Sequence, residues 1–146
     1  MWQRSFSILA SAPVAAVWRL FEDVEGWASW NTGIESISMQ GPFAEGTGFV
    51  MKPPGQDAFA SRLLHVVPLK RFEDETVVGD VRVLVDHQVE RVSAVQTRIT
   101  YTATVTGPGA AEIGAAVTDD FPVVLEALAA LAELEPLVER VRLVAR

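Results

Sequence analysis

Two stretches of regular alternation, separated by a short turn, constrain this chain more than anything else in it. Val81, Val83, Val85, His87 and Val89 alternate with Arg82, Leu84, Asp86, Gln88 and Glu90. Ile99, Tyr101, Ala103 and Val105 alternate with Arg98, Thr100, Thr102, Thr104 and Thr106. Successive side chains of a strand point to opposite faces, so each stretch has one apolar and one polar face. Such a pair belongs to an antiparallel sheet that is wet on one side and buried on the other. A tip near Ala94 sets His87 opposite Tyr101 on the buried side. A two-residue slip leaves them diagonal neighbours, still within side-chain reach. A one-residue slip would turn Tyr101 to water, against the pattern.

The rest of the chain extends this sheet. Phe6, Ile8 and Ala10 alternate with Ser5, Ser7 and Leu9, which predicts a first strand. Ser11 and Pro13 then mark a helix start, with Ser11 as N-cap. Val14, Val17, Trp18 and Phe21 form one face of that helix. A second short helix is expected over Glu25 to Asn31, with Asp23 at its N-terminus and Gly33 as its stop. Six strands follow, over 34–39, 48–53, 58–67, 71–78, 81–91 and 96–106, divided by glycine and proline turns. Gly46-Thr47-Gly48 and Gly107-Pro108-Gly109 lack the spacing of a phosphate loop and read as turns. After Gly109, Val117, Phe121, Val124, Leu125, Leu128 and Leu131 make a helical stripe. Pro122 requires either a kink or a fresh start near Asp119-Asp120. From Leu134 onward a short helix, a strand or a frayed tail all suit the spacing.

Composition narrows the function. A chain of 146 residues is one domain by length, and large enough to build a core. The absence of cysteine excludes disulfides, thiolate catalysis and cysteine metal sites. Two histidines leave little for a metal centre, and no cofactor is expected. The net charge of -7 argues against nucleic acid. No stretch is long and apolar enough for a bilayer span, and the N-terminus reads as a strand, so the expected location is the cytoplasm.

Seven antiparallel strands with one wet face must bury the other, and the C-terminal helix is the element long enough to fill it. This predicts an α+β architecture, a curved sheet wrapped around that helix, with two short helices between strands 1 and 2. Ala12-Pro13, Val17-Trp18, Asp23, Trp27 and Trp30 stand in the arrangement A-P-x3-V-W-x4-D-x3-W-x2-W. Gly41-Pro42, Gly46-Thr47, Pro68 and Phe72 follow, and then the hairpin ending Thr106-Gly107-Pro108. The chain thereby resembles the START-like, Bet v 1-like (SRPBCC) superfamily, in particular its polyketide cyclase/dehydratase-like branch. The resemblance covers residues 4–133. It implies a helix-grip domain over 1–133, a C-terminal extension over 134–146, and a cavity between sheet and helix for an apolar or amphipathic molecule.

The resemblance implies the cavity and favours Trp30 at it; with the strand and helix faces the candidate lining is Trp30, Phe49, Met51, Phe59, Val83, Val85, His87, Tyr101, Ala103, Val117, Phe121 and Leu125. His87 and Tyr101 are the candidate catalytic pair, one as acid/base and the other as hydrogen-bond donor. The alternative is a core histidine bonded to the tyrosine hydroxyl or to backbone. Trp27 and Trp30 either line the pocket mouth or pin the short helices to the sheet. If Phe59 and Leu63 face inward, His65 does too. Asp74 and Asp86 are the acids available to His65, but their spacing matches no metal motif. Leu137, Val138, Val141 and Val144 form an apolar strip for a homodimer contact, or for packing back on the domain. Three functions compete: a binding protein for a lipid- or polyketide-like molecule, an enzyme of the cyclase/dehydratase type, and an interaction module without a ligand that dimerises through the tail.

Overall fold

The computed structural model describes residues 1–144, apart from the side chains of 137–139. Its seven strands are β1 (Trp2–Ala10), β2 (Ser36–Met39), β3 (Gly48–Lys52), β4 (Phe59–Val67), β5 (Arg71–Val78), β6 (Val81–Ser93) and β7 (Gln96–Thr106). They form one antiparallel sheet in the order β1-β7-β6-β5-β4-β3-β2. Between β1 and β2 lie α1 (Val14–Glu22) and a 3-10 helix (Val24–Ser29). The predicted hairpin register holds, with His87 directly opposite Tyr101. Ile99, Tyr101, Ala103 and Val105 are buried on the inner face. The outer face carries a ladder of hydroxyls: Ser5 to Thr102 at 2.8 Å, Ser7 to Thr100 at 2.9 Å, and Gln3 donating to Thr104 at 3.0 Å. Polar cross-strand pairs of this kind let the outer face meet water without exposing apolar surface.

Beyond Gly109 the chain forms two helices, α2 (Ala110–Thr118) and α3 (Phe121–Val144). The break falls at Asp119-Asp120. Pro122 takes the first turn of α3, where a missing N–H breaks no helical bond. Pro136 lies inside α3, and the helix runs through it. The stretch from Leu134 is thus a continuation of α3, not an element of its own. Within its apolar strip Val141 and Val144 are exposed, and the side chains of Leu137 and Val138 lie outside the described residues.

Ser11 does not cap α1. Pro13 holds the N-cap position, with no side-chain bond to the first turn. Ser11 instead donates its backbone N–H to Glu133 Oε1 at 2.9 Å, and Arg19 pairs with Glu135. These contacts join α1 and the residues just before it to the middle of α3. Asp23 stands at the N-cap of the 3-10 helix, also without a side-chain bond. Gly107 makes the turn out of β7 at φ +112°, against the β5–β6 hairpin: a Cβ there would lie 2.3 Å from the Asp80 carbonyl oxygen.

Candidate ligand-binding cavity

The inner face of the sheet is not filled throughout. Between β3–β7 on one side and the 3-10 helix, α2 and the start of α3 on the other lies a cavity of about 670 Å³. That volume is in the range of small-molecule sites. Of the twelve residues expected to line it, ten do: Trp30, Phe49, Met51, Phe59, Val83, Val85, His87, Tyr101, Val117 and Phe121. Ala103 and Leu125 do not. Both are sealed in the packed part of the core. An inward parity places a side chain on the buried face, but only the seat of the helices decides whether it meets packing or space. Trp27 lines the cavity beside Trp30, and it also pins the 3-10 helix by donating Nε1–H to the Phe21 carbonyl at 3.0 Å. The two uses proposed for these tryptophans are therefore compatible.

His87 and Tyr101 meet edge to face, with ring centroids 4.5 Å apart. They are not hydrogen-bonded to each other. His87 lies flat on Phe72, centroid to centroid 3.9 Å at 8°, and its Nδ1 is 3.2 Å from the Phe72 carbonyl oxygen. A carbonyl only accepts, so Nδ1 carries the proton. Burial pushes the imidazole down to about 3, and hydrogen bonds to the Phe72 and Val85 backbone oppose this only in part. His87 is therefore neutral near pH 7, which removes the imidazolium that a general acid needs. Tyr101 is 4% exposed, and its hydroxyl has no hydrogen-bond partner among the described residues. Burial, reinforced by the Asp74 charge, pushes its ionisation further up, so it remains a phenol. Buried hydroxyls are seldom left unpaired, and this one belongs to a residue of the cavity wall.

Asp74 is the residue that sequence reasoning set aside. Phe72, Asp74, Thr76 and Val78 share the inner face of β5 and all line the cavity. Burial first, then the charges of Glu73 and Asp86, push the Asp74 carboxyl up to about 7. Glu75, on the outer face, behaves in the opposite way: a hydrogen bond from Arg82, aided by Arg62, holds it below its usual range. His65 is also on the outside. A bulge between Leu63 and His65 shifts the register of β4, so Leu63 is buried while the His65 side chain is 51% exposed and faces Glu73 at 3.8 Å. The inward reading of His65 assumed unbroken alternation, and the extra residue reverses it. Among the described residues no group of three or more His, Asp or Glu side chains is placed to hold a metal.

The raised Asp74 carboxyl makes stability depend on pH. Between its ordinary 3.8 and about 7 the folded state holds a proton that the unfolded state has lost. Stability therefore falls as pH rises through this window. His87 acts oppositely, and its contribution is lost as pH drops from 6.5 toward about 3. Asp74→Asn removes only the first slope. The variant is expected to be more stable than the parent at pH 8 by roughly 1–3 kcal/mol, allowing for water reaching the carboxyl from the cavity. The gain should vanish near pH 4. Urea midpoints at both pH values check this, and a lower midpoint for the variant at pH 8 refutes it.

A curved antiparallel sheet gripping a C-terminal helix, with an aromatic-walled cavity between them, defines a helix-grip protein. The chain belongs to the polyketide cyclase/dehydrase and lipid transport family, whose model matches residues 1–133. This places it in the START/Bet v 1-like superfamily. No curated protein matches it. Among solved structures, the ZhuI aromatase/cyclase from Streptomyces sp. R1128 is 17% identical, with a TM-score of 0.76 over 91% of this chain and 94% of that one. A Thermobifida fusca protein solved by NMR is 22% identical, with a TM-score of 0.73 over 92% and 96%. A START superfamily protein from Mycobacterium smegmatis is 12% identical, with a TM-score of 0.73 over 90% and 97%. At these identities the likeness is one of fold. Among the described residues no helix is long and apolar enough to cross a membrane.

Proposed function

We propose that this protein binds an apolar or amphipathic small molecule in the cavity between sheet and helices. The observation that carries this reading is the Tyr101 hydroxyl, buried without a partner in the wall of a cavity of about 670 Å³. A structural tyrosine would be expected to satisfy its hydroxyl within the fold. Here a ligand supplies the missing bond, and the rings of Trp27, Trp30, Phe49, Phe59 and Phe72 cover its apolar body.

Native mass spectrometry of freshly purified protein, followed by melting with lipids and polyketides, tests this. A ligand at a hundred times its Kd should stabilise the fold by about 2.7 kcal/mol. Val85→Trp, which places an indole in the cavity, should abolish the shift. Shifts that persist unchanged in this variant would move the binding site elsewhere.

A second reading, an enzyme of the cyclase/dehydratase type, is favoured by Asp74. A carboxyl near 7 is matched to proton transfer at neutral pH, a role that the neutral, carbonyl-bonded His87 fills poorly. In this reading Asp74 moves the proton and Tyr101 donates to a carbonyl. The same mass spectra separate the two. Polyketides recovered unchanged support a carrier, and products lighter by one water support the enzyme.

A further inference from the structure

The carboxylates of β5 and β6 divide by face. On the outer face Glu75 meets Arg62 and Arg82, Asp86 meets Arg71, and Glu90 meets Arg98. Inside, Asp74 stands on the sheet wall; the half-buried Asp120 and the exposed Asp119 border the cavity at the α2–α3 junction, and none of the three has an ion-pair partner among the described residues. Among those residues neither lysine nor arginine lines the cavity. A carboxylate set among aromatic walls without a counter-ion is costly to ionise. A ligand that brings positive charge removes that cost, and aromatic faces attract the same charge through their quadrupoles. The Tyr101 hydroxyl is the independent sign of an unmet polar contact in this wall. Its oxygen can accept from an N–H, and its proton can be given to a ligand oxygen.

We propose that the preferred ligand is an amphipathic amine, an apolar or aromatic body carrying a protonated nitrogen that meets the Asp74 carboxylate, with the Tyr101 hydroxyl as a second polar contact. This rests on the binding reading above. Asp119 and Asp120 favour the approach of such a cation. A fatty acid or an anionic headgroup would instead meet Asp74 with like charge and find no cation in the wall.

Three probes of one shape test this by calorimetry at pH 7.5: 2-naphthylmethylamine, 2-naphthylmethanol and 2-naphthoate. The amine is expected to bind about tenfold tighter than the alcohol, and the carboxylate weakest. Asp74→Asn should bring amine and alcohol to within about threefold of each other, with the alcohol little changed. Tyr101→Phe should weaken both. Equal binding of amine and alcohol by the parent overturns the amine inference and leaves the binding reading standing. So does a preference for the carboxylate, or an amine preference that survives Asp74→Asn. Binding of none of the three overturns the amine inference, and the binding reading is then decided by the melting experiments with lipids and polyketides. The comparison among probes on the parent protein does not depend on any variant folding.

Discussion

Phe72→Ala is expected to destabilise the protein by about 3–5 kcal/mol, the largest effect of any single truncation in the cavity wall. Phe72 is 1% exposed and sits at the centre of the aromatic cluster. Its ring lies 4.9 Å from Phe21, 5.2 Å from Phe43, 5.7 Å from Trp27 and 3.9 Å from His87, centroid to centroid. Removing it takes apolar surface out of every one of these contacts and leaves a void that joins the cavity. In a domain of this size the loss corresponds to a fall in Tm of roughly 6–20 °C. Phe72→Leu keeps most of the volume and should cost under about half as much. The Phe72 backbone carbonyl stays in both variants, so the His87 Nδ1 bond has its acceptor. Chemical denaturation of the two variants checks the ordering. A Phe72→Ala cost below about 2 kcal/mol, short of what truncating a core aromatic costs, would remove Phe72 from its central place.

Gly107→Ala is the second large effect, expected at roughly 2–4 kcal/mol. Two causes combine. At φ +112° a side chain is strained whatever its surroundings, and the new Cβ would lie 2.3 Å from Asp80 O and 3.0 Å from Val81 Cα. Both neighbours are backbone, so relief requires moving the β5–β6 hairpin that carries Val83 and Val85. Gly46 separates the causes. Its φ is +91°, and a Cβ there meets nothing within 4 Å. Gly46→Ala should therefore cost only the strain, about 1–2 kcal/mol. Urea midpoints measured side by side decide it, and equal costs would show that the close approach at Asp80 carries no weight.

The sheet was legible because its last two strands alternate without interruption. The placement of His87 opposite Tyr101 follows from that alternation and a short turn, with no tertiary information. Asp74 was harder to see. It stands in Phe72-Glu73-Asp74-Glu75-Thr76, where acids fall on both faces and the period carries no apolar signal. Anchoring β5 on Phe72 and Val78 as inward residues would have found Asp74 and Thr76 between them. The reversal of His65 depends on a bulge of one residue, and nothing in Leu63-Leu64-His65 announces it. Ala103 and Leu125 share the inward parity of true cavity residues. What separates them is where α2 and α3 rest on the sheet, which is a property of packing and not of pattern. The split of the C-terminal helix could be read from Pro122 with Asp119-Asp120, since a proline fits the first turn of a helix and not its middle.

The order of the strands also bears on how the protein assembles in time. β1 pairs with β7, so Trp2 lies opposite Val105, and α3 is seated on β1 through Phe6 and Phe121 at 5.7 Å. Contacts between residues so far apart in the chain form slowly, because most of the loop between them must be ordered first. The β5-β6-β7 meander needs only local turns and can form early. During synthesis β1 emerges first and waits without a partner until nearly the whole chain has followed. The β1–β7 pairing, and with it the seat of α3 on β1, is thus expected to form late. By the same topology, opening that begins at β1 is expected to unseat α3 while the β5-β6-β7 hairpins remain paired.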